Sequence, residues 1–199
     1  MSVTLIAGLG NPGREYAGTR HNLGFAVVDA LAAAQGLAWK SNSRFEAQIA
    51  RWDVRPGVTR FLVKPLTFMN DSGRALCRLL DFHKVPVASL IAVHDDLTID
   101  LGRVKVSVRG SAGGHHGVTS LLEHLGGGFL RYRLGIGTAR PADMDLKDFV
   151  LGKFSPIEQS IIDQQLTTFV DGLRLLLDSG YARAMNTLNR RNRNETDQT

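Results

Sequence analysis

The sequence has a single cysteine and no long apolar run. Cys77 cannot form a disulfide within the chain or a thiolate metal cluster, which predicts a reducing, cytoplasmic compartment. No stretch approaches the about 18 apolar residues that a membrane-spanning helix needs, so no membrane association is expected. The short apolar stretch at the N-terminus has no positively charged region ahead of it. It therefore indicates a first strand and not a signal peptide.

Aromatic residues are also sparse, at 7% of the chain, whereas basic residues exceed acidic ones by 24 to 19. The formal net charge of +5 favours a polyanionic partner such as nucleic acid. Because few aromatics lie among the basic residues, we expect contacts to phosphates more than stacking on bases. The basic residues expected on this surface are Arg103, Lys105, Arg109, Arg131, Arg133, Arg140, Arg183, Arg190, Arg191 and Arg193. A non-catalytic RNA-binding domain is one function that such a surface would serve.

Strand and helix patterns alternate along the chain, which predicts one α/β domain with a mixed, twisted sheet flanked by helices. We expect this domain to span residues 1–190 and to be followed by a polar, flexible tail at 191–199. The predicted strands are 3–7, 45–54, 58–63, 89–93, 102–109 and 133–137. The predicted helices are 23–37, 71–83, a short one ending at 125, one from 155 to 178 that stops at Gly180, and a short final one.

A glycine-rich motif at 8–13 (GLGNPG) matches the dinucleotide-binding pattern G-x-G-x-x-G after a strand. Two features weaken this interpretation. Pro12 has no amide to offer a pyrophosphate, and the helix that should open within the motif is delayed until about Asn22. Asp29 has the spacing of the ribose-binding acid but lies in a helical stretch. A dinucleotide enzyme therefore stays an alternative function.

Polar residues gather where the predicted strands end, which is where α/β sheets carry their sites. The candidates are Asn11, Tyr16, Arg20, His21, Asn70, His94, Asp95, Asp96, His115 and His116. His21 held by Asp95 or Asp96 could remove a proton from water, because a carboxylate on one ring nitrogen leaves the other free to accept. A surface histidine and turn acids are the alternative interpretation of the same residues.

Other catalytic schemes fit the sequence less well. Ser111 lacks the glycine that a G-x-S-x-G nucleophile elbow requires. His94, Asp96, His115 and His116 could form a metal site, but no recognised ligand spacing supports one, and we expect neither a metal nor another cofactor. Cys77 lies among leucines at helical spacing and is expected in the core.

Several segments in the same order resemble the bacterial-type peptidyl-tRNA hydrolases. They are GLGNPGREYAGTRHNLGF, KPLTFMNDSGRAL, HDDLTIDLGRVKVS, GSAGGHHGVTSLLEHLG, RYRLGIG and DFVLGKFSPIE, and the similarity covers roughly residues 3–190. The resemblance implies a monomeric, cytoplasmic, metal-free esterase of translation. Such an enzyme binds peptidyl-tRNA, cleaves the ester between the peptide and the 3′-terminal ribose, and so recycles the tRNA.

Carried over residue by residue, the resemblance assigns the general base to His21 and its supporting acid to Asp95. Asn11 matches the asparagine that senses the acylated amino group, and Asn70 matches a substrate-binding asparagine. Tyr16 and Phe68 match positions that contact the terminal region of the tRNA or the peptide.

The chain departs from the family pattern at two places. His116 stands where the family usually has a substrate-binding asparagine, and an imidazole lacks the paired donor and acceptor of an amide. It also becomes charged in mild acid. Arg133 matches one half of a clamp for the tRNA 5′-phosphate, but the lysine half falls on Ser107. Two alternatives stay open: Lys105 or Arg109 substitutes for this lysine, or the clamp is weaker in this chain.

Overall fold

In the computed structural model, which describes residues 2–137, 140–141 and 143–190, strands and helices alternate as the sequence predicts. The strands are β1 (Ser2–Gly8), β2 (Lys40–Asn42), β3 (Ala47–Arg55), β4 (Val58–Pro65), β5 (Leu90–Asp96), β6 (Val104–Ser107) and β7 (Leu130–Gly135). The α-helices are α1 (Leu23–Ala34), α2 (Ser72–His83), α3 (His116–Leu125), α4 (Leu146–Leu151) and α5 (Pro156–Leu188). The predicted tail at 191–199, with Arg191 and Arg193, lies outside the described residues.

The strands form one mixed sheet in the order β2-β3-β4-β1-β5-β7-β6. Strands β4, β1, β5 and β7 are parallel to one another, whereas β2, β3 and β6 pair antiparallel with their neighbours. The predicted single-domain α/β fold with a mixed sheet is thus confirmed. Because four strands run in the same direction, their carboxyl ends meet at one edge of the sheet, where ligand sites of such folds form.

Helices cover both faces of the sheet. One core packs α1 and α5 on the sheet, and a second core packs α2 and α3 on the opposite face. The hydroxyl of Tyr132 in β7 donates to the carbonyl of Phe169 in α5 at 2.7 Å and ties the helix to the sheet. Among the described helices, none combines the length and the apolar character that crossing a bilayer requires.

The ends of several elements differ from the sequence prediction. β6 covers only 104–107 instead of 102–109, and the three-residue β2 and six-residue α4 were not predicted. The predicted start of α5 is confirmed, since Ser155 and Glu158 form a capping box. The predicted stop at Gly180 is confirmed, since its φ of 78° and ψ of 171° are not helical: α5 consists of two helical segments that meet at a kink there, and the second is the predicted short final helix.

Gly24 lets the start of α1 lie directly on the sheet. A Cβ atom at this position would lie 2.4 Å from the carbonyl oxygen of Val93 in β5, so no larger residue fits there. The 3₁₀ turn at 20–22, which precedes α1, is therefore held close to the carboxyl end of β5. This close approach brings His21 beside Asp95.

Candidate active site

A cavity of about 860 Å³ opens at the carboxyl edge of the parallel strands. It lies between the strand ends, the glycine-rich loop at 110–114 and helix α4. Seven of the residues that the family resemblance assigned to the site line this cavity: Asn11, His21, Phe68, Asn70, Asp95, His116 and Arg133. The other two, Tyr16 and Lys105, are described but do not belong to its lining.

His21 and Asp95 form a buried pair at the floor of this cavity. The Nδ1 atom of His21 lies 3.0 Å from Oδ1 and 3.1 Å from Oδ2 of Asp95. The two residues are 7% and 3% exposed. Because a carboxylate only accepts hydrogen bonds, Nδ1 carries the proton in the neutral imidazole. The Nε2 atom then keeps a lone pair with which it can accept a proton.

His115 is a second imidazole on the same carboxylate; the sequence analysis named it as a candidate polar residue but gave it no role beside His21 and Asp95. Its Nε2 lies 3.0 Å from Oδ1 of Asp95. Its Nδ1 accepts a hydrogen bond from the backbone of Val118 at 3.3 Å, as part of the cap of α3. A backbone N–H can only donate, so the proton of neutral His115 must be on Nε2, which donates to Asp95.

The two imidazoles keep Asp95 ionised despite its burial. Burial would raise the pKa of Asp95, but the neighbouring His21 and His115, which also hydrogen-bond to it, hold this pKa below its ordinary value. The centroid of the His115 ring lies 4.6 Å from that of His21, with the two rings tilted by 47°, and 4.8 Å from that of His94, which it meets edge-on. A carboxylate fixed in this way stabilises an imidazolium that forms beside it.

His94 is buried next to this pair and stays neutral. Its Nδ1 donates to the backbone carbonyl of Asp95 at 2.8 Å, and its Nε2 is buried without a partner among the described residues. Burial, together with the proximity of His115, lowers the pKa of His94 to about 3. His94 therefore adds no positive charge to the cavity floor.

Asn11 and Asn70 reach the cavity from neighbouring loops that are joined through Met69. The Oδ1 atom of Asn11 accepts a hydrogen bond from the backbone of Met69 at 2.8 Å. Asn70 follows Met69 in a 3₁₀ turn and is exposed at the cavity wall, and Phe68 before it is 58% exposed. The contact with Met69 directs the amide Nδ2 of Asn11, a hydrogen-bond donor, away from the protein backbone.

The glycine-rich loop is held by Arg131, which the sequence analysis placed on the basic surface. That placement is wrong, because Arg131 is only 5% exposed. Its guanidinium donates to the carbonyls of Gly110 at 2.7 Å and Ser111 at 2.8 Å. His116, just after this loop, is the first residue of α3 and is exposed at the cavity.

The basic residues at the outer end of the cavity are arranged unequally. Arg133 donates to Asp96 at 2.8 Å and to Thr98 at 3.2 Å, so its guanidinium is oriented by a carboxylate. Lys105 faces Arg133 across the β6–β7 pair but lies outside the cavity lining. Arg109 is exposed and lines the cavity together with Arg133.

Arg20 anchors the turn that carries His21. Its guanidinium donates to the carbonyl of Lys153 at 2.8 Å and to Glu158 at 2.8 Å, and it stacks 4.2 Å above the ring of Phe149. These contacts connect the turn with the end of α4 and the start of α5. They make Arg20, another buried cation, part of the scaffold behind the site.

The donor set at the cavity floor also has the composition of a metal site. His21, Asp95 and His115 each offer one ligand atom, and these atoms lie within 4.8 Å of one another. This set differs from the four residues considered from the sequence. In the described geometry both histidines hydrogen-bond to the Asp95 carboxylate, His21 through Nδ1 and His115 through Nε2. General-base chemistry needs the same arrangement.

The dinucleotide alternative loses its structural basis at residues 8–13. The chain continues from this motif into 3₁₀ turns at 14–16 and 20–22, and α1 begins only at Leu23. Asp29 lies within α1, where it pairs with Lys64 at 2.6 Å. The motif therefore lacks both the helix N-terminus and the acid that dinucleotide binding requires.

Comparisons with known proteins agree with this fold. The family model described as peptidyl-tRNA hydrolase matches residues 5–196. A peptidyl-tRNA hydrolase of Anaeromyxobacter sp. (strain K) is 45% identical over 95% of this chain and 97% of its own length. One of Lactiplantibacillus plantarum is 41% identical over 93% and 99%. The crystal structure of the Acinetobacter baumannii peptidyl-tRNA hydrolase superposes with a TM-score of 0.86 at 34% identity, covering 94% of each chain.

The structural match first establishes the class: this chain is an α/β protein with the same fold as the solved peptidyl-tRNA hydrolase. At the identity and coverage found, the chain belongs to the peptidyl-tRNA hydrolase family. The resemblance noted in the sequence motifs is thereby confirmed.

Proposed function

We propose that this chain hydrolyses the ester between a peptide, or an N-blocked amino acid, and the 3′-terminal ribose of tRNA, with water activated by His21. The observation that carries the proposal is the 3.0 Å contact between Nδ1 of His21 and the buried carboxylate of Asp95 at the floor of the cavity. Hydrolysis of this ester releases tRNA for reuse in translation.

In this mechanism, His21 acts as general base. Its Nε2 removes a proton from water as the water oxygen attacks the ester carbonyl, and Asp95 stabilises the resulting imidazolium. General-base help of this kind contributes roughly 10²–10⁴ in rate. His21 then returns the proton to the departing ribose oxygen. An ester has a good leaving group, so this route needs no covalent intermediate and no metal.

Asn11 and Asn70 position the peptide next to its scissile end. Each can donate an amide N–H to a peptide carbonyl or to the oxygen that gains charge in the transition state. One such donor is worth roughly 10²–10³ in rate. Contacts with the backbone of the peptide explain how one site accepts many peptide sequences. His116 and the exposed Phe68 complete the wall on which the peptide and the terminal ribose lie.

Asn11 also separates blocked from free aminoacyl groups. Its Nδ2 can donate to the carbonyl of an acyl group on the amino nitrogen. A free ammonium has only donors, so it would meet another donor and would lose solvation without compensation. The site therefore favours peptidyl-tRNA over aminoacyl-tRNA.

The tRNA lies along the basic surface beyond the cavity. Arg133 and Arg109 contact phosphates, with Lys105 on the neighbouring strand adding charge, and Tyr16 supports the terminal region from outside the cavity. We expect the enzyme to act as a monomer in the cytoplasm. The domain boundary near residue 190 remains a prediction.

The test is hydrolysis of an N-acetyl-aminoacyl-tRNA by the purified chain, with and without a chelator. Hydrolysis at the same rate in chelator is the expected result. Binding of tRNA without hydrolysis would instead support the non-catalytic RNA-binding alternative. Loss of hydrolysis in chelator, restored by a divalent cation, would contradict the metal-free mechanism and point to a cation on His21, Asp95 and His115.

A further inference from the structure

Asn22 holds the backbone of Asn11 with both ends of its side-chain amide. Its Oδ1 accepts from the backbone N–H of Asn11 at 2.8 Å, and its Nδ2 donates to the carbonyl of Asn11 at 2.9 Å. The orientation of the amide is unambiguous, because a backbone N–H can only donate and a carbonyl can only accept. Asn22 thus replaces the neighbouring strand that Asn11, beyond the end of β1, no longer has.

The side chain of Asn11 is fixed at a third point. The backbone N–H of Met69 donates to its Oδ1 at 2.8 Å, which determines which side of the amide faces the protein. Three hydrogen bonds therefore define the position and the rotation of one cavity residue that is only 8% exposed. The outward group that remains is Nδ2, which donates to no described residue.

The residue that precedes Asn22 is His21. The two share the 3₁₀ turn at 20–22, so one three-residue segment sets both the proposed base and the loop that carries Asn11. The His21 side chain points to Asp95, and the Asn22 side chain points to Asn11. A change in this turn would alter the distance between the attacking water and the group that recognises the substrate.

We propose that Asn22 is a positioning residue for substrate selection. By fixing Asn11, it keeps the donor Nδ2 of Asn11, and not the acceptor Oδ1, facing the amino nitrogen of the aminoacyl residue that is esterified to tRNA. This inference rests on the proposed function. If Asn22 no longer holds the backbone of Asn11, the loop can shift and break the contact between Met69 and Oδ1 of Asn11; Asn11 can then rotate and offer Oδ1, which accepts from a free ammonium. Selection of the blocked substrate then weakens, because each substrate finds a partner.

The chain contains a matched control. Asn189 makes the same pair of hydrogen bonds with Val106, from Nδ2 to the carbonyl at 2.9 Å and from the backbone N–H to Oδ1 at 2.7 Å. Asn22 and Asn189 are both half-buried, and Asn189 lies outside the cavity lining. Leucine at either position removes two comparable hydrogen bonds without adding charge.

The experiment measures kcat/KM for an N-acetyl-aminoacyl-tRNA and for the same aminoacyl-tRNA with a free amino group. The ratio of the two values is compared in the parent, Asn22→Leu and Asn189→Leu. We expect the ratio to fall by about tenfold in Asn22→Leu, the effect of one mispaired hydrogen bond. In Asn189→Leu the ratio should stay at the parental value even if the protein is less stable. Asn22→Ser, a milder change, should lower the ratio in the same direction and serves if the leucine variant does not fold.

A second measurement tests whether Asn22 acts through Asn11. Asn11→Ala should lower the ratio by itself, and adding Asn22→Ser to it should lower it no further. Additive effects would overturn the inference, as would an unchanged ratio in both Asn22 variants or an equal fall in Asn189→Leu. A parent that hydrolyses both esters equally would overturn it while leaving the ester hydrolysis intact. A parent that hydrolyses neither ester would remove the proposed function and this inference with it.

Discussion

Replacing Asp95 with asparagine tests the buried pair at the cavity floor. Asp95 accepts hydrogen bonds from Nδ1 of His21 and Nε2 of His115, and it is 3% exposed. An asparagine can accept with its one oxygen, but its NH₂ group must also face an imidazole nitrogen. If that nitrogen belongs to His21, its proton moves to Nε2 and the lone pair needed for catalysis is lost.

The expected loss in kcat for Asp95→Asn is about 10²–10⁴. The upper end is the cost of the wrong histidine tautomer in the serine protease triad, which uses the same carboxylate–imidazole arrangement. KM for N-acetyl-aminoacyl-tRNA should change little, because Asp95 is buried and presents almost no surface to a substrate. The assay is single-turnover release of the acetylated amino acid from tRNA at saturating enzyme, with circular dichroism to verify the fold.

Asp96→Asn is the matched control on the neighbouring position. Asp96 pairs with Arg133 and Thr98 instead of with an imidazole. This variant should therefore alter KM through Arg133. Its kcat should stay within about threefold of the parental value, because a threefold change corresponds to less free energy than one neutral hydrogen bond contributes. If folded Asp95→Asn keeps a kcat similar to that of Asp96→Asn, the carboxylate does not orient the base and the reasoning is refuted.

Three further predictions concern the surroundings of the pair. His94 is buried with its pKa lowered to about 3, whereas in the unfolded chain it takes up a proton near pH 6.5, so the unfolded state binds more protons between these values. The free energy of unfolding should therefore fall as the pH drops below about 6.5, by up to ~1.4 kcal/mol per pH unit, and less steeply in His94→Gln; urea unfolding at several pH values measures this. In His116→Asn, hydrolysis should persist to lower pH than in the parent, because the variant replaces an ionisable imidazole at the cavity with a neutral amide; pH–rate profiles of both proteins measure this. Arg131→Met should lower the free energy of unfolding by about 1–3 kcal/mol and raise KM, because the carbonyls of Gly110 and Ser111 lose their donors; thermal unfolding and hydrolysis kinetics measure this.

Each of these predictions has an outcome that contradicts it. Parallel pH–stability curves for the parent and His94→Gln would show that His94 is not the group that takes up the proton. Superimposable pH–rate profiles for the parent and His116→Asn would show that His116 does not cause the loss of activity at low pH. An Arg131→Met protein with the stability and KM of the parent would mean that the guanidinium does not hold the glycine-rich loop.

Much of the fold could be predicted from local patterns. The capping residues Ser155 and Glu158 predict the start of α5, and Pro56 with Gly57 predicts the turn between β3 and β4. Periodicity gives weaker guidance for short elements, so the six residues of α4 were not predicted. Gly180 was expected to end a helix, and its positive φ of 78° does interrupt α5 at that residue.

The site was predictable only in part, because its contacts join distant segments. His21 and Asp95 could be selected since both follow the ends of predicted elements, but their 3.0 Å contact depends on the close approach at Gly24. His115 was named as a candidate, but its role was missed because it requires both Asp95 and the cap of α3, which no local pattern reports. Arg131 was added to the basic surface as one of several cations, but its burial and its hydrogen bonds to Gly110 and Ser111 join segments far apart in the sequence and could not be foreseen.

The most direct test of the central claim is the turnover of His21→Ala on N-acetyl-aminoacyl-tRNA in the presence of chelator. Removal of the imidazole takes away the proton acceptor and leaves the asparagines and the basic surface in place. We expect kcat to fall by at least about 10² while KM stays near the parental value. A folded His21→Ala protein whose kcat remains within about tenfold of the parent, less than a general base contributes, would contradict the account.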